Sequence, residues 1–209
     1  TQALADYGAD VIKIEPPKVG DRMRWAIPGD PAGEQGPIFC SINRNKRSVT
    51  CDIAQPEGQA LIRELVKHCD VFVENFKVGD MARYGLDWGS LRAINPALVY
   101  CSVTGFGQDG PYADQPAYDD VIQAASGATS LLSRVDGNPA ARYMPSLIAD
   151  KVAGLHAAYA ALAAHCAAER DGVGDHVDLS VQECLVSELV TCETYYTFMG
   201  AIQGRRLPV

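Results

Sequence analysis

The sequence has no run of about 20 apolar residues, the length a membrane-spanning helix needs. The nearest approach, Val152 to Ala168, is mostly alanine and carries His156 and His165. No signal-peptide pattern opens the chain. Also missing are a CxxC pair and any Cys/His cluster at metal-ligand spacing. The seven cysteines (Cys40, Cys51, Cys69, Cys101, Cys166, Cys184, Cys192) are scattered, several of them in apolar runs, as small buried hydrophobes in a reducing cytoplasm would be. Basic residues are in deficit, 18 against 26 acidic, so the net charge of -8 excludes a global attraction for nucleic acid or anionic lipid. Any anionic ligand has to be met by local basic groups.

Histidine offers no catalytic set. His156 and His165 are nine residues apart on one helical pattern and point to different faces, while His68 and His176 border strands. There are no internal repeats and no low-complexity linkers. What remains is a soluble, cytoplasmic, globular class: 209 residues, 47% hydrophobic, enough for one sizeable core.

Short β-branched runs alternate with helical patterns. The Thr1–Tyr7 segment reads as the last turns of a helix running into a strand at 9–15 that stops at Pro16-Pro17. Further strands are expected over 47–53, 71–73, 98–103 and 176–179. Helices are expected from Pro56 to His68, from Leu91 to Ile94, from Asp119 to Leu132, from Lys151 to Arg170, and through Leu185, Leu189 and Tyr196. Repeated strand, helix, strand units imply an α/β fold with a doubly wound, mostly parallel sheet and ligands at the carboxyl ends of its strands. The stretch from Gly20 to Gln35, with Pro28, Gly29, Pro31 and Gly33, is the longest irregular loop, a type often found at sites. With no initiator methionine and a stop at Leu207-Pro208-Val209 after a basic turn, the chain reads as incomplete at both ends.

Gly105-Phe106-Gly107-Gln108-Asp109-Gly110 follows a strand and matches the dinucleotide-binding fingerprint letter for letter. That fingerprint works only when a helix starts inside it and turns its N-terminus toward the pyrophosphate. Pro111 and Pro116 bracket the next segment and disfavour such a helix, so the glycines read as a flexible turn. Asn43-Arg44-Asn45-Lys46-Arg47, the densest basic cluster, is either a plain charged loop or a counter-charge for a phosphorylated ligand. Glu74-Asn75-Phe76-Lys77 ends a strand: Asn75 donates and accepts, Phe76 offers a stacking face, and Lys77 with Arg83 offers positive charge.

Asp150 lies between Met144-Pro145-Ser146-Leu147-Ile148-Ala149 and the alanine-rich helix, a poorly solvated setting that favours nucleophilicity, with the helix dipole keeping the group ionised. Spacing alone favours simple N-capping.

Together these residues closely resemble the family III CoA-transferases, the group that includes formyl-CoA transferase and the carnitine CoA-transferases, with the α-methylacyl-CoA racemases as relatives. The resemblance runs in order through Leu4–Pro17, Asn43–Ser48, Pro56-Glu57-Gly58, Val73–Phe76, Tyr84-Gly85-Leu86, Asn95-Pro96, Gly105–Tyr112, Tyr118-Asp119 with Gln123–Gly127, and Asp150. It implies most of a large CoA-binding domain over 1–209, without the small domain or the two chain ends. It also implies that Asp150 is the nucleophile, passing through aspartyl anhydride and aspartyl-CoA thioester intermediates.

CoA contacts implied in the same way fall on the segment from Cys51 and Asp52 to Ala54, on Asn75, Phe76 and Lys77, on Arg83, and around Tyr118. Coenzyme A enters as acyl-CoA substrate, with a carboxylic acid acceptor and neither metal nor redox cofactor. An interlocked homodimer is implied likewise. The family's glycine-rich loop over the aspartate has no counterpart in these residues. Pro16 and Pro116 stand where formyl-CoA transferase has arginine and lysine, so the formate and oxalate pair is not implied. Two alternatives accompany the transferase: a racemase, whose family relatives carry histidine where this chain has Tyr118, and a CoA-binding relative without chemistry.

Overall fold

The computed structural model describes residues 1–26, 35–131 and 137–200, except for the side chains of 191–193 and 195. Pro28, Gly29, Pro31 and Gly33 of the long loop, Leu132, the Cys192 side chain and the Leu207–Val209 end therefore lie outside the described residues. The fold is α/β, as expected. In chain order the elements begin with α1 (Gln2–Asp6), β1 (Val11–Glu15), a 3-10 turn at Arg22–Arg24, α2 (Pro37–Asn43), β2 (Lys46–Thr50) and α3 (Pro56–Val66). Then come β3 (Val71–Glu74), α4 (Asp80–Arg83), α5 (Trp88–Arg92), β4 (Val99–Thr104), α6 (Asp119–Ala125), α7 (Ala128–Leu131), α8 (Ile148–Asp171), β5 (His176–Ser180) and α9 (Val181–Met199).

The described strands fall into two sheets. In one, β1 pairs in parallel with β2, with Val11 opposite Lys46 and Glu15 opposite Thr50. The other has the order β3-β4-β5. Its central strand β4 is buried at every position but Val103, which explains the continuous run Val99-Tyr100-Cys101 in place of an alternating pattern.

The chain divides into two compact units. The first comprises Thr1–Phe72, Gly79–Tyr100 and Ala161–Asp175. Its core gathers Cys51, Ile62, Val66, Met81, Leu86, Leu91, Leu98 and Tyr100. Helix α3 contributes Gly58, Ile62 and Val66, spaced four apart on one face, with Pro56 in its first turn. Tyr100 packs against Phe72 and donates its hydroxyl to the Leu86 carbonyl at 3.1 Å, which satisfies the one polar atom that this buried ring carries. The second unit comprises Val73–Val78, Cys101–Ala160 and His176–Val209, with Ile122, Ala128, Ala149 and Leu185 as its core.

Local chemistry sets the boundaries. Strand β2 ends at Thr50, three residues before the expected Ile53, because Asp52 turns the chain: its Oδ1 accepts from the Ala54 amide at 3.0 Å and its carbonyl from the Gln55 amide at 3.1 Å. The helix expected over 119–132 breaks after Ala125, where Gly127 adopts φ +82°. Helix α9 is N-capped by Ser180, whose Oγ accepts from the Glu183 amide at 3.2 Å. No helix forms between Gly105 and Tyr118, as Pro111 and Pro116 require. Among the described residues no helix is long and apolar enough to cross a membrane.

Candidate functional site

Asp150 is the third residue of α8, not its N-cap, because the helix begins at Ile148. The residue is exposed, although the alanines beside it, Ala149 and Ala153, are buried. Desolvation of the carboxyl is therefore partial, yet it still pushes Asp150 above the usual carboxylate range. The Asp119 carboxylate pushes in the same direction, and Lys151 opposes both.

Asp119 is itself buried, on the face of α6 that also carries Ile122 and Gln123. Its Oδ1 accepts from the backbone amide of Asp150 at 3.2 Å, and its Oδ2 accepts from Gln123 Nε2 at 2.6 Å. The same Gln123 amide nitrogen donates to the Ser146 carbonyl at 3.2 Å, and Gln123 Oε1 accepts from the Met144 amide at 2.8 Å. Two buried side chains one helical turn apart thus hold the segment that enters α8. Neither residue is assigned a role by the sequence alone. The signal was the i, i+4 spacing of two polar residues around Ile122 on an otherwise apolar face.

Tyr118 supplies the backbone N-cap of α6 and is 75% exposed. Asn75, Phe76 and Lys77 follow β3 and are exposed. Glu74 folds back over this turn, accepting from the Phe76 amide at 2.7 Å. Burial raises the Glu74 carboxyl above its ordinary range, opposed by the Phe76 amide and by the Ser102 hydroxyl. Ser102 Oγ, within β4, lies 3.0 Å from Nε2 of His176, the first residue of β5.

Three expected contacts belong to the first unit. The Cys51 thiol is buried in its core 3.5 Å from the Gly58 carbonyl, and desolvation raises it, with Asp52 adding to the shift. That leaves the backbone of Cys51–Ala54 and the half-buried Asp52 as the parts of this segment able to meet a ligand. Arg83 is exposed and paired with Asp80 at 2.9 Å, its guanidinium 5.3 Å from the centre of the Tyr84 ring. The basic cluster is engaged locally: Arg44 pairs with Asp6 at 2.7 Å and Arg47 with Asp10 at 2.5 Å. Those pairs favour the charged-loop reading over a phosphate counter-charge. On the same unit Asp70, His165 and Glu169 bring one ligand atom each within 4.8 Å of one another, two of the three residues being exposed. Exposed acidic groups of this kind are common without an ion.

Residues 1–207 match the family described as CoA-transferase family III. The chain is 42% identical over 204 residues to a succinate–glutarate CoA-transferase of Agrobacterium fabrum, covering 95% of this chain and 50% of that protein. It is 40% identical over 183 residues to a formyl-CoA:oxalate CoA-transferase of a Bradyrhizobium species, covering 88% of this chain and 42% of that protein. Among solved structures, a CAIB/BAIF family protein from Brucella suis superposes with a TM-score of 0.89 at 40% identity, over 98% of this chain and 54% of that one. The chain therefore spans about half the length of the curated relatives it matches.

Proposed function

The chain belongs to CoA-transferase family III, and we propose that it moves CoA from an acyl-CoA thioester to a carboxylic acid with Asp150 as the covalent nucleophile. One observation carries this reading: an exposed carboxylate in the first turn of a long helix, with its own amide held by a buried side chain and its affinity for a proton raised. A carboxylate made more basic is a better nucleophile, provided it stays ionised at working pH.

The chemistry balances without a redox partner. Asp150 attacks the donor carbonyl, the C–S bond breaks, and CoA leaves as thiolate from an aspartyl anhydride. The thiolate attacks the aspartyl carbonyl, releasing the donor acid and leaving aspartyl-CoA thioester. The acceptor carboxylate displaces CoA in turn, forming a second anhydride. Thiolate attack on the acceptor carbonyl then frees Asp150. Asn75, Phe76, Lys77, Arg83, Tyr118, Asp52 and the Cys51 backbone are the proposed CoA contacts.

Relatives named for succinate, glutarate and oxalate share a carboxylate acceptor or donor, which supports that substrate class. A homodimer remains part of the reading through the family resemblance alone.

The test is covalent trapping in the full-length enzyme. With acyl-CoA present, hydroxylamine should modify the peptide containing Asp150, and an ¹⁸O-labelled acceptor acid should leave one labelled oxygen there. Undiminished turnover in Asp150→Ala would overturn the reading.

A further inference from the structure

We propose that Asp119 and Gln123 are a buried positioning pair that holds the backbone entering α8 and so aims Asp150 at the thioester. The inference rests on the reading of Asp150 as nucleophile and adds to it two residues that need not touch the substrate.

The first four amides of a helix have no partner within it. Asp150 lies within that group, and its amide is taken by Asp119 Oδ1, a side chain from a different helix. A local cap fixes a helix end only relative to its own chain, whereas this bond fixes the first turn of α8 relative to α6. Gln123 completes the arrangement. It contacts the Met144 amide and the Met144 and Ser146 carbonyls, at 2.8, 3.5 and 3.2 Å, on the segment that leads through Pro145 into the helix. Asp119 and Gln123 are 5% and 2% exposed, so their own ends of these bonds are shielded from water.

The pair also acts by charge. Burial is the larger influence raising the Asp150 carboxyl; the Asp119 carboxylate from α6 adds to it, and Lys151 from its own helix opposes both. A residue that merely stabilised the fold would not set the pH at which Asp150 becomes active. Asp119 does so through its charge, and the two effects separate by substitution. Asp119→Asn keeps an oxygen for the Asp150 amide, removes the charge and gives up the bond from Gln123 Nε2. Asp119→Ala removes the oxygen as well.

The experiment measures pH profiles of kcat and kcat/KM in the full-length enzyme for wild type, Asp119→Asn, Asp119→Ala and Gln123→Met, with Asp150→Ala as reference and melting temperatures for each. Asp119→Asn should move the acidic limb to lower pH, because the neighbouring negative charge is gone. Asp119→Ala and Gln123→Met should lower kcat about tenfold, the rate equivalent of one lost buried hydrogen bond, with KM for acyl-CoA changed much less. An unmoved acidic limb in Asp119→Asn together with kcat losses that only track melting temperature would overturn the pairing while Asp150→Ala, still inactive, preserves the nucleophile. Full turnover in Asp150→Ala would overturn both.

Discussion

Arg24 grips both carboxylate oxygens of Glu15, Nε to Oε2 and Nη2 to Oε1, each at 2.9 Å. The Asp21 amide and the Ser48 hydroxyl donate to the same carboxylate at 2.9 and 2.8 Å, and the Arg24 guanidinium lies 3.8 Å from the centre of the Phe39 ring. Glu15 is 3% exposed. These donors, Arg24 foremost, lower its carboxyl from 4.5 to about 2 against the opposing effect of burial. A carboxylate with a depressed folded value contributes stability that is complete above its unfolded value and lost as pH falls toward the folded one. Glu15 should therefore stabilise the first unit fully above about pH 4.5 and progressively less toward pH 2. In urea titrations of wild type and Glu15→Gln, the gap in unfolding free energy should be widest near neutrality and close on acidification. A gap independent of pH would mean that the charge is not what Arg24 holds.

Arg83 already has an anionic partner in Asp80, so its availability to a CoA phosphate depends on exchanging that exposed pair for another. Arg83→Ala should raise KM for acyl-CoA by about tenfold or less, the size of one charge-assisted contact, and should affect the 3′-dephospho analogue less if the contact is with that phosphate. Equal losses for both analogues would place Arg83 elsewhere.

Tyr118 caps α6 through its backbone while its ring stands exposed, an arrangement suited to closing over an acyl group. Abstraction of a proton α to a thioester needs a base largely unprotonated near neutrality, which imidazole satisfies and an ordinary phenol does not. Tyr118→Phe should slow transfer only severalfold, as loss of one hydrogen bond worth about 0.5–1.5 kcal/mol would. Wild-type enzyme in deuterated water should leave the α carbon of its acyl-CoA unlabelled. Rapid α-exchange that depends on Tyr118 would promote the racemase over the transferase.

Gly58 presses α3 against the Cys51–Ala54 segment so closely that an added Cβ would lie 1.9 Å from the Asp52 carbonyl oxygen. Gly58→Ala should destabilise by about 1–3 kcal/mol, the usual cost of overpacking, and should raise KM for acyl-CoA if that segment carries the ligand. Unchanged KM in a variant that still folds would remove Cys51–Ala54 from the site.

Much of the fold was legible because its strands are short β-branched runs and its helices open on recognisable signals. The 71–73 and 176–179 strands each gained one residue, Glu74 and Ser180, and Pro56 marked the start of α3. Helix α2 was missed although Gly36-Pro37 is a start signal, since seven residues give little periodicity to read. Helix α8 begins before the expected Lys151 because Leu147 and Ile148 look like the end of an extended apolar run, and only packing decides otherwise. The individual site residues came from resemblance more than from spacing. What neither could supply was the bond between residues 119 and 150 or those between 123 and 144–146, since pairing across 21 to 31 positions leaves no periodic trace.

The bond from Asp119 to the Asp150 amide spans 31 residues of chain. During synthesis it cannot close until the start of α8 has emerged and found a folded α6. Until then the carboxylate at position 150 is one aspartate among many, neither oriented nor made more basic by its neighbour. If Asp150 is the nucleophile proposed above, a growing or partly unfolded chain lacks the geometry to be acylated, and reactivity arrives with the tertiary structure.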